Sequence, residues 1–321
     1  MANEAAADRG EHSPDERRAG HDRSRLGGRG WGGALKRTVS EFREDDLTDW
    51  AAALTYYGVL SIFPALLVLV SILGLAGQSA TQPLVENIGR FAPGAAQDIV
   101  TGAIENLERS RGGAGIALIA GLAAALWSAS AYIGAFIRAS NVIWDVEEGR
   151  PIWKTLPLRL GLTLLMLLLL AVTAVAVVLT GPLAHAVGDL IGVGETVVTV
   201  WDIAKWPVLV GIVSLMFALL YWLAPNVRQP GFRWITPGGI VAVLLWIVAS
   251  VAFAFYVATF GSYNETYGSV AAVIIFLVWL WITNIAVLLG AELDAEIERG
   301  RKVAGGHPAD REPFLPPRDQ P

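Results

Sequence analysis

The chain contains no cysteine, which excludes disulfide frameworks, thiolate-bound zinc, iron–sulfur clusters and thiol nucleophiles. Histidine is almost as scarce. Of the four, His12, His21 and His307 lie in polar tails and His185 stands alone, so no histidine metal cluster can be assembled. Charge is sparse, at 17% of 321 residues, and the 24 Lys+Arg are outnumbered by 29 Asp+Glu. A net charge of −5 supplies no basic surface for neutralising phosphodiesters, so no nucleic-acid partner is expected. P-loop and nucleophile-elbow fingerprints are missing too. No cofactor or metal is expected, and the chain does not read as an enzyme.

Apolar residues are abundant instead, at 54% of the chain with a mean hydropathy of +0.50. A helix needs about 20 consecutive apolar residues to cross a bilayer, because each residue rises only ~1.5 Å. Six stretches qualify, at about 53–76, 114–136, 158–181, 206–224, 239–260 and 270–291. Apart from tyrosine, their only ionisable side chain is Arg159, close enough to a helix end to snorkel. No Asp, Glu or His lies within them, so a proton relay or ion-coupling carboxylate is not written in the spans. The expected fold class is all-α, a polytopic integral membrane protein with six transmembrane helices. Two short amphipathic helices are expected between the first and second spans, at residues 81–111, where apolar residues recur at helical spacing on either side of Pro93-Gly94.

If the spans cross in order, 20 of the Lys and Arg residues fall with the two tails and the even-numbered connections, and 4 fall on the other side. Such asymmetry places both termini in the cytoplasm. Residues 1–36 are rich in charge, Gly, Ser and Pro and read as a disordered arm, residues 37–300 as the membrane domain, and residues 301–321 as a disordered tail.

Few residues stand out as candidates for a pathway. Pro64 removes a backbone donor and clashes with the carbonyl of Leu60, so a kink is expected in the first span, with Tyr56 and Ser61 lining a polar track. The loop Phe260-Gly-Ser-Tyr-Asn-Glu-Thr-Tyr-Gly-Ser269 is dense in hydrogen-bonding groups, and Tyr263, Asn264, Tyr267 and Gly268 form the expected gate. Asn284 sits inside the sixth span, where an amide bonds to a neighbouring helix. Glu292 stands at the cytoplasmic mouth, within reach of Arg138 or Arg159.

Leu54-Thr-Tyr-Tyr-Gly-Val-Leu-Ser-Ile-Phe-Pro64, the Ala-Pro-Asn of Tyr221–Asn226, Pro237-Gly-Gly, Gly261–Ser269 and Leu289-Gly-Ala-Glu-Leu-Asp-Ala-Glu296 carry a resemblance. On these residues the chain resembles the YihY/virulence factor BrkB family of bacterial inner-membrane proteins, over about Phe42–Arg299. Asp294 departs from the Asn expected in many relatives. The resemblance implies a six-helix protein of the bacterial plasma membrane with membrane lipids as partners, and hints at envelope-lipid movement. Some relatives carry a ribonuclease label. Hydrolysis of RNA needs a metal cluster or an acid–base pair beside a basic groove, and this sequence offers neither. Two readings follow: a transporter-like or lipid-translocating protein, or a non-transporting scaffold that meets an envelope partner through residues 81–111. A cavity distinguishes them, since a scaffold can be packed solid.

Overall fold

The computed structural model describes residues 28–76, 114–178, 194–259, 269–309 and 312–320. Seven helices run through them: α1 Gly28–Glu44, α2 Leu47–Ala76, α3 Ala114–Ile143, α4 Ile152–Val178, α5 Glu195–Leu223, α6 Pro237–Thr259 and α7 Ser269–Ala304. Among the described residues there is no strand, only an isolated bridge between Val227 and Pro317. Helices α3 to α7 are each long and apolar enough to cross a membrane. Helix α2, at 30 residues, contains the first expected span and continues past Pro64, whose side chain lies outside the described residues. Residues 81–111, where two amphipathic helices are expected, lie outside them as well. Several helices outrun their apolar stretches. Helix α5 begins at Glu195 and α7 extends to Ala304, because polar sequence beyond the hydrocarbon still satisfies its backbone best as helix.

The helices close into a ring. α2 packs on α3, α3 on α4, α4 on α5, α5 on α6 and α6 on α7, which returns to α2. The α2–α3 and α6–α7 seams are the most extensive. At the α6–α7 crossing the backbones touch: a Cβ on Gly238 would lie 1.9 Å from the Gly290 carbonyl oxygen, and one on Gly290 would lie 2.6 Å from that of Gly238. Small residues let helices approach this closely. The start of α6 is fixed there too, since the Asp294 Oδ1 accepts the Gly238 N–H at 2.7 Å and the Thr236 hydroxyl accepts the Gly239 N–H at 3.0 Å.

One end of the ring, here the proximal end, gathers α1, the connections 144–151 and 224–236, and residues 312–320. Leu47, Leu54, Phe136, Leu162, Leu220 and Leu288 build the main core just inside it. Asn226 joins its pieces. Its backbone N–H donates to the Asn141 Oδ1 at 2.7 Å, and its amide donates to the Glu147 and Asp319 carbonyls at 3.0 and 2.8 Å.

Two expectations are corrected at this end. The arm expected to be disordered through residue 36 is helical from Gly28, because Ala34 buries itself against Leu293 and Ile297 while Arg37 pairs with Glu296 and Glu41 with Arg299. Tertiary docking outweighs the poor helix propensity of its glycines. The tail expected to be disordered after residue 301 stays helical to Ala304, and residues 312–320 are seated on the 226–228 backbone. Leu315 is buried, the Arg228 N–H donates to Pro316, and Arg318 donates to the Val227 and Trp222 carbonyls at 2.8 and 2.5 Å. A proline-rich strap has little entropy left to lose on docking.

Candidate functional site

Inside the ring, beyond the proximal core, lies a cavity of about 420 Å³ to which all six helices from α2 to α7 contribute. Gly58, Tyr132, Met166, Phe217, Trp246 and Asn284 supply one wall position from each. Its volume falls in the ~300–1,000 Å³ range of small-molecule sites. The wall is overwhelmingly apolar, so the polar track expected along the first span is not what the ring encloses. Helical periodicity explains the α4 contribution: Thr163, Met166 and Leu170 lie on one face and all line the cavity.

Polar groups collect at the cavity's proximal floor. Tyr132 donates its hydroxyl proton to the Asn284 Oδ1 at 2.9 Å, the Asn284 amide donates to the Thr55 hydroxyl at 3.0 Å, and Thr55 donates to the Ala51 carbonyl at 2.8 Å. This chain ties α3, α7 and α2 together through a side chain that is 1% exposed. Tyr221, stacked between Phe136 and Phe217, donates to the Val287 carbonyl at 2.7 Å. Beside this floor Arg159 reaches from α4 to α3 and donates to the Ser130 hydroxyl through Nε and Nη2 at 3.0 and 2.7 Å.

Below the floor sits an acidic layer made by Glu41, Asp45, Asp145, Glu292, Glu296 and Glu312, with Arg299 bonded to Glu41 and Glu296. Burial first, and then the charge of Asp145, pushes Asp45 up to about 7. Burial and the charge of Glu312 push Asp145 up to about 6. Glu148 behaves oppositely: burial alone would raise it, but hydrogen bonds from Arg150 hold it below the usual range. Among the described residues no group of His, Asp and Glu is arranged to hold a metal ion.

A match to the family described as virulence factor BrkB spans residues 38–313. The chain belongs to the BrkB family. Of its relatives, the putative ribonuclease-like protein YfkH of Bacillus subtilis is 29% identical over 85% of this chain and 98% of its own length. A UPF0761 membrane protein of Halorhodospira halophila is 28% identical over 87% of this chain, which spans 59% of that longer protein. The UPF0761 membrane protein MS0032 of Mannheimia succiniciproducens is 28% identical over 83% of this chain and 89% of its own length. No solved structure matches. The family and the apolar helices together make this a multi-pass membrane protein.

The sites expected from the sequence of this BrkB-family protein fare unevenly. Ser61 lines the cavity, although its hydroxyl is turned to the Tyr57 carbonyl at 2.7 Å, and Asn284 lines it at the floor. Tyr56 does not line it. It is 61% exposed on the opposite face of α2, edge-on to Tyr57, because five residues of helix separate it from Ser61 by well over a quarter turn. Glu292 meets neither Arg138 nor Arg159: it is buried in the acidic layer, its Oε2 without a partner among the described residues, whereas Arg159 is turned to Ser130. Tyr263, Asn264, Tyr267 and Gly268 lie outside the described residues. Tyr132, Tyr221 and Asn226 were not singled out by chemistry. For the tyrosines the available signal was a hydroxyl inside an apolar span, which demands a partner.

Proposed function

We propose that this BrkB-family protein moves lipid passively across the bacterial plasma membrane, admitting the apolar part of a lipid to the central cavity. The observation that carries the reading is the cavity itself: every helix of the ring contributes to a wall of mostly hydrocarbon, which suits an acyl chain and does not suit a hydrated solute. Among the described residues the cavity lining includes no carboxylate, which favours movement without coupling to an ion gradient. The excess of Lys and Arg in the tails and even-numbered connections supports a cytoplasmic setting for the proximal end.

The test reconstitutes the full-length protein in phosphatidylcholine vesicles bearing a fluorescent phospholipid in both leaflets, with an impermeant quencher outside. Wild type should let quenching proceed beyond the outer-leaflet half. Ala129→Trp and Val213→Trp, at two wall positions where a large side chain fills the cavity, should slow the second phase by about tenfold or more, a change of ~1.4 kcal/mol in barrier. Folded, inserted protein that moves no lipid, or two cavity-filling variants at wild-type rate, would sink the reading and favour a scaffold.

A further inference from the structure

Two arginines on the ring have no acid to answer them among the described residues. Helices α3 and α4 contain no Asp or Glu, and their three cations are Arg138, Lys154 and Arg159. Lys154 pairs with Asp319, whereas Arg138 and Arg159 make no ion pair among the described residues. They are near enough for the charge of Arg138 to act on Arg159. Two adjacent guanidinium groups at the edge of a bilayer repel each other and are costly to leave uncompensated, so a mobile anion gains wherever it can bridge them.

The Arg159 fork is also held in place. Ser130 accepts the bonds from its Nε and Nη2 on the α3 side, the Trp127 ring lies 5.8 Å from the guanidinium carbon, and Gly134 leaves room for it, since a Cβ there would sit 3.3 Å from its Cδ, Nε and Nη1. Those contacts leave Nη1 with no acceptor among the described residues. Trp127, Gly134 and Arg138 fall on one face of α3, so Arg138 stands one turn beyond the position that Arg159 covers. Trp127 is 65% exposed, which places an indole beside the site on the lipid-facing side.

We propose that Arg159 and Arg138 bind the phosphate of an anionic glycerophospholipid in the groove between α3 and α4. Direction favours a lipid over a free anion. Arg159 shares its face of α4 with Thr163, Met166 and Leu170, which line the cavity. A phosphate on the fork therefore starts an apolar stripe that runs about 16 Å, eleven residues at ~1.5 Å each, into the chamber. The site names the headgroup chemistry for the lipid movement proposed above, and rests on that reading only for where the acyl chain goes.

The experiment counts lipids retained by the purified full-length protein in native mass spectrometry. Phosphatidylglycerol, phosphatidylcholine and diacylglycerol are compared at equal concentration, and inorganic phosphate serves as competitor. Wild type should retain phosphatidylglycerol best and diacylglycerol least. Arg138→Gln/Arg159→Gln should weaken phosphatidylglycerol retention by about tenfold or more, Arg159→Lys by less because it keeps charge but not the fork, and Lys36→Gln on α1 not at all. Tryptophan-fluorescence unfolding checks that each variant is folded, and Arg138→Gln alone, at an exposed position, reports on the site if Arg159→Gln impairs folding. Unchanged retention in the folded double variant overturns the proposal, as does equal retention of diacylglycerol. Full displacement by inorganic phosphate overturns the lipid assignment. Retention that depends on the arginines without movement in vesicles upholds the site and sinks translocation; movement with retention indifferent to them does the reverse.

Discussion

Gly290→Ala should be among the most damaging single-methyl changes the ring can suffer. The added Cβ would lie 2.6 Å from the Gly238 carbonyl oxygen, 2.7 Å from the Ala242 Cβ and 2.7 Å from the Tyr221 hydroxyl, where ordinary contact begins at 3.4 Å. Two of those neighbours belong to α6, so the α6–α7 crossing must open by about 0.8 Å, close to the full deficit, because packed interiors hold no slack. Opening it strains the 2.7 Å bond between the Gly238 N–H and Asp294, and displacing the phenol strains the 2.7 Å bond from Tyr221 to Val287. Overpacking costs roughly 1–3 kcal/mol and one weakened buried hydrogen bond about 1 kcal/mol more, which gives a loss of about 2–4 kcal/mol. The assay is thermal unfolding in detergent followed by tryptophan fluorescence. On the ~2–4 °C per kcal/mol typical of soluble domains of 150–250 residues, the midpoint should fall by at least about 4 °C. Gly211→Ala is the internal control: a Cβ there meets nothing within 4 Å, and in mid-helix it should leave the midpoint unchanged or raise it slightly. Equal midpoints for Gly290→Ala and Gly211→Ala would refute the backbone-to-backbone crossing.

The acidic layer should make stability fall with rising pH. Folded Asp45 near 7 and Asp145 near 6 both lie above their ordinary 3.8, so between those values the folded state holds more protons than the unfolded one. The groups that face them are Glu41, Glu44, Glu292, Glu296 and Glu312, opposed by Arg299. Unfolding midpoints should be higher at about pH 5.5 than at about pH 7.5, and Asp45→Asn should flatten that slope; a rising profile would contradict the assignment. At the cavity floor, Asn284→Leu strands the Tyr132 hydroxyl and should cost about 1–3 kcal/mol, while Tyr132→Phe added to it should cost less than its own single-variant effect. An additive cycle would mean that the two do not share a bond. Asn226→Ala removes the amide bonds to Glu147 and Asp319, so limited proteolysis should cut residues 312–320 faster than in wild type. Equal cutting rates would show that the strap is held by something else.

The apolar runs locate the helices because their chemistry is collective: no soluble fold hides six stretches of some twenty apolar residues, and the bilayer imposes a length on each. What the sequence could not order was the seams. A ring that closes α7 on α2 depends on which faces meet, and hydrophobic all-round helices carry no amphipathic stripe to announce a face. Gly238 and Gly290 were visible as small residues in conspicuous motifs, yet their 52-residue separation leaves the contact unreadable until the two helices are paired. The proximal end failed for a different reason. Gly28–Gly33 and the prolines after Gly306 have the composition of disorder, and composition does not register a docking partner. Arg159 could be read from sequence as a snorkelling side chain. It took the α3–α4 seam to place it on Ser130 and to put its charge beside that of Arg138.

The distribution of charge through the ring bears on how such a protein would work. Among the described residues, carboxylates are collected in the proximal layer, below the polar floor, and the cavity lining has none. The uncompensated cations stand apart from that layer, on the outer seam between α3 and α4. On the proposed reading an anionic headgroup is drawn to the seam, where none of the described acids pairs with the arginines, while the chamber behind offers its chain mostly hydrocarbon, with a few hydroxyls and the Asn284 amide. With no Asp, Glu, His, Lys or Arg among the described wall residues, no such group there is placed to convert a proton gradient into work, and on the proposed reading net movement follows the lipid's own gradient between leaflets. The acidic layer contacts the floor through α7, which carries Asn284 and Glu292 two turns apart. Protonation there changes the stability of the proximal end, so any pH effect on lipid movement should track the unfolding midpoint, and a rate that shifts with pH while the midpoint stays fixed would point to a titrating group that the described wall does not contain.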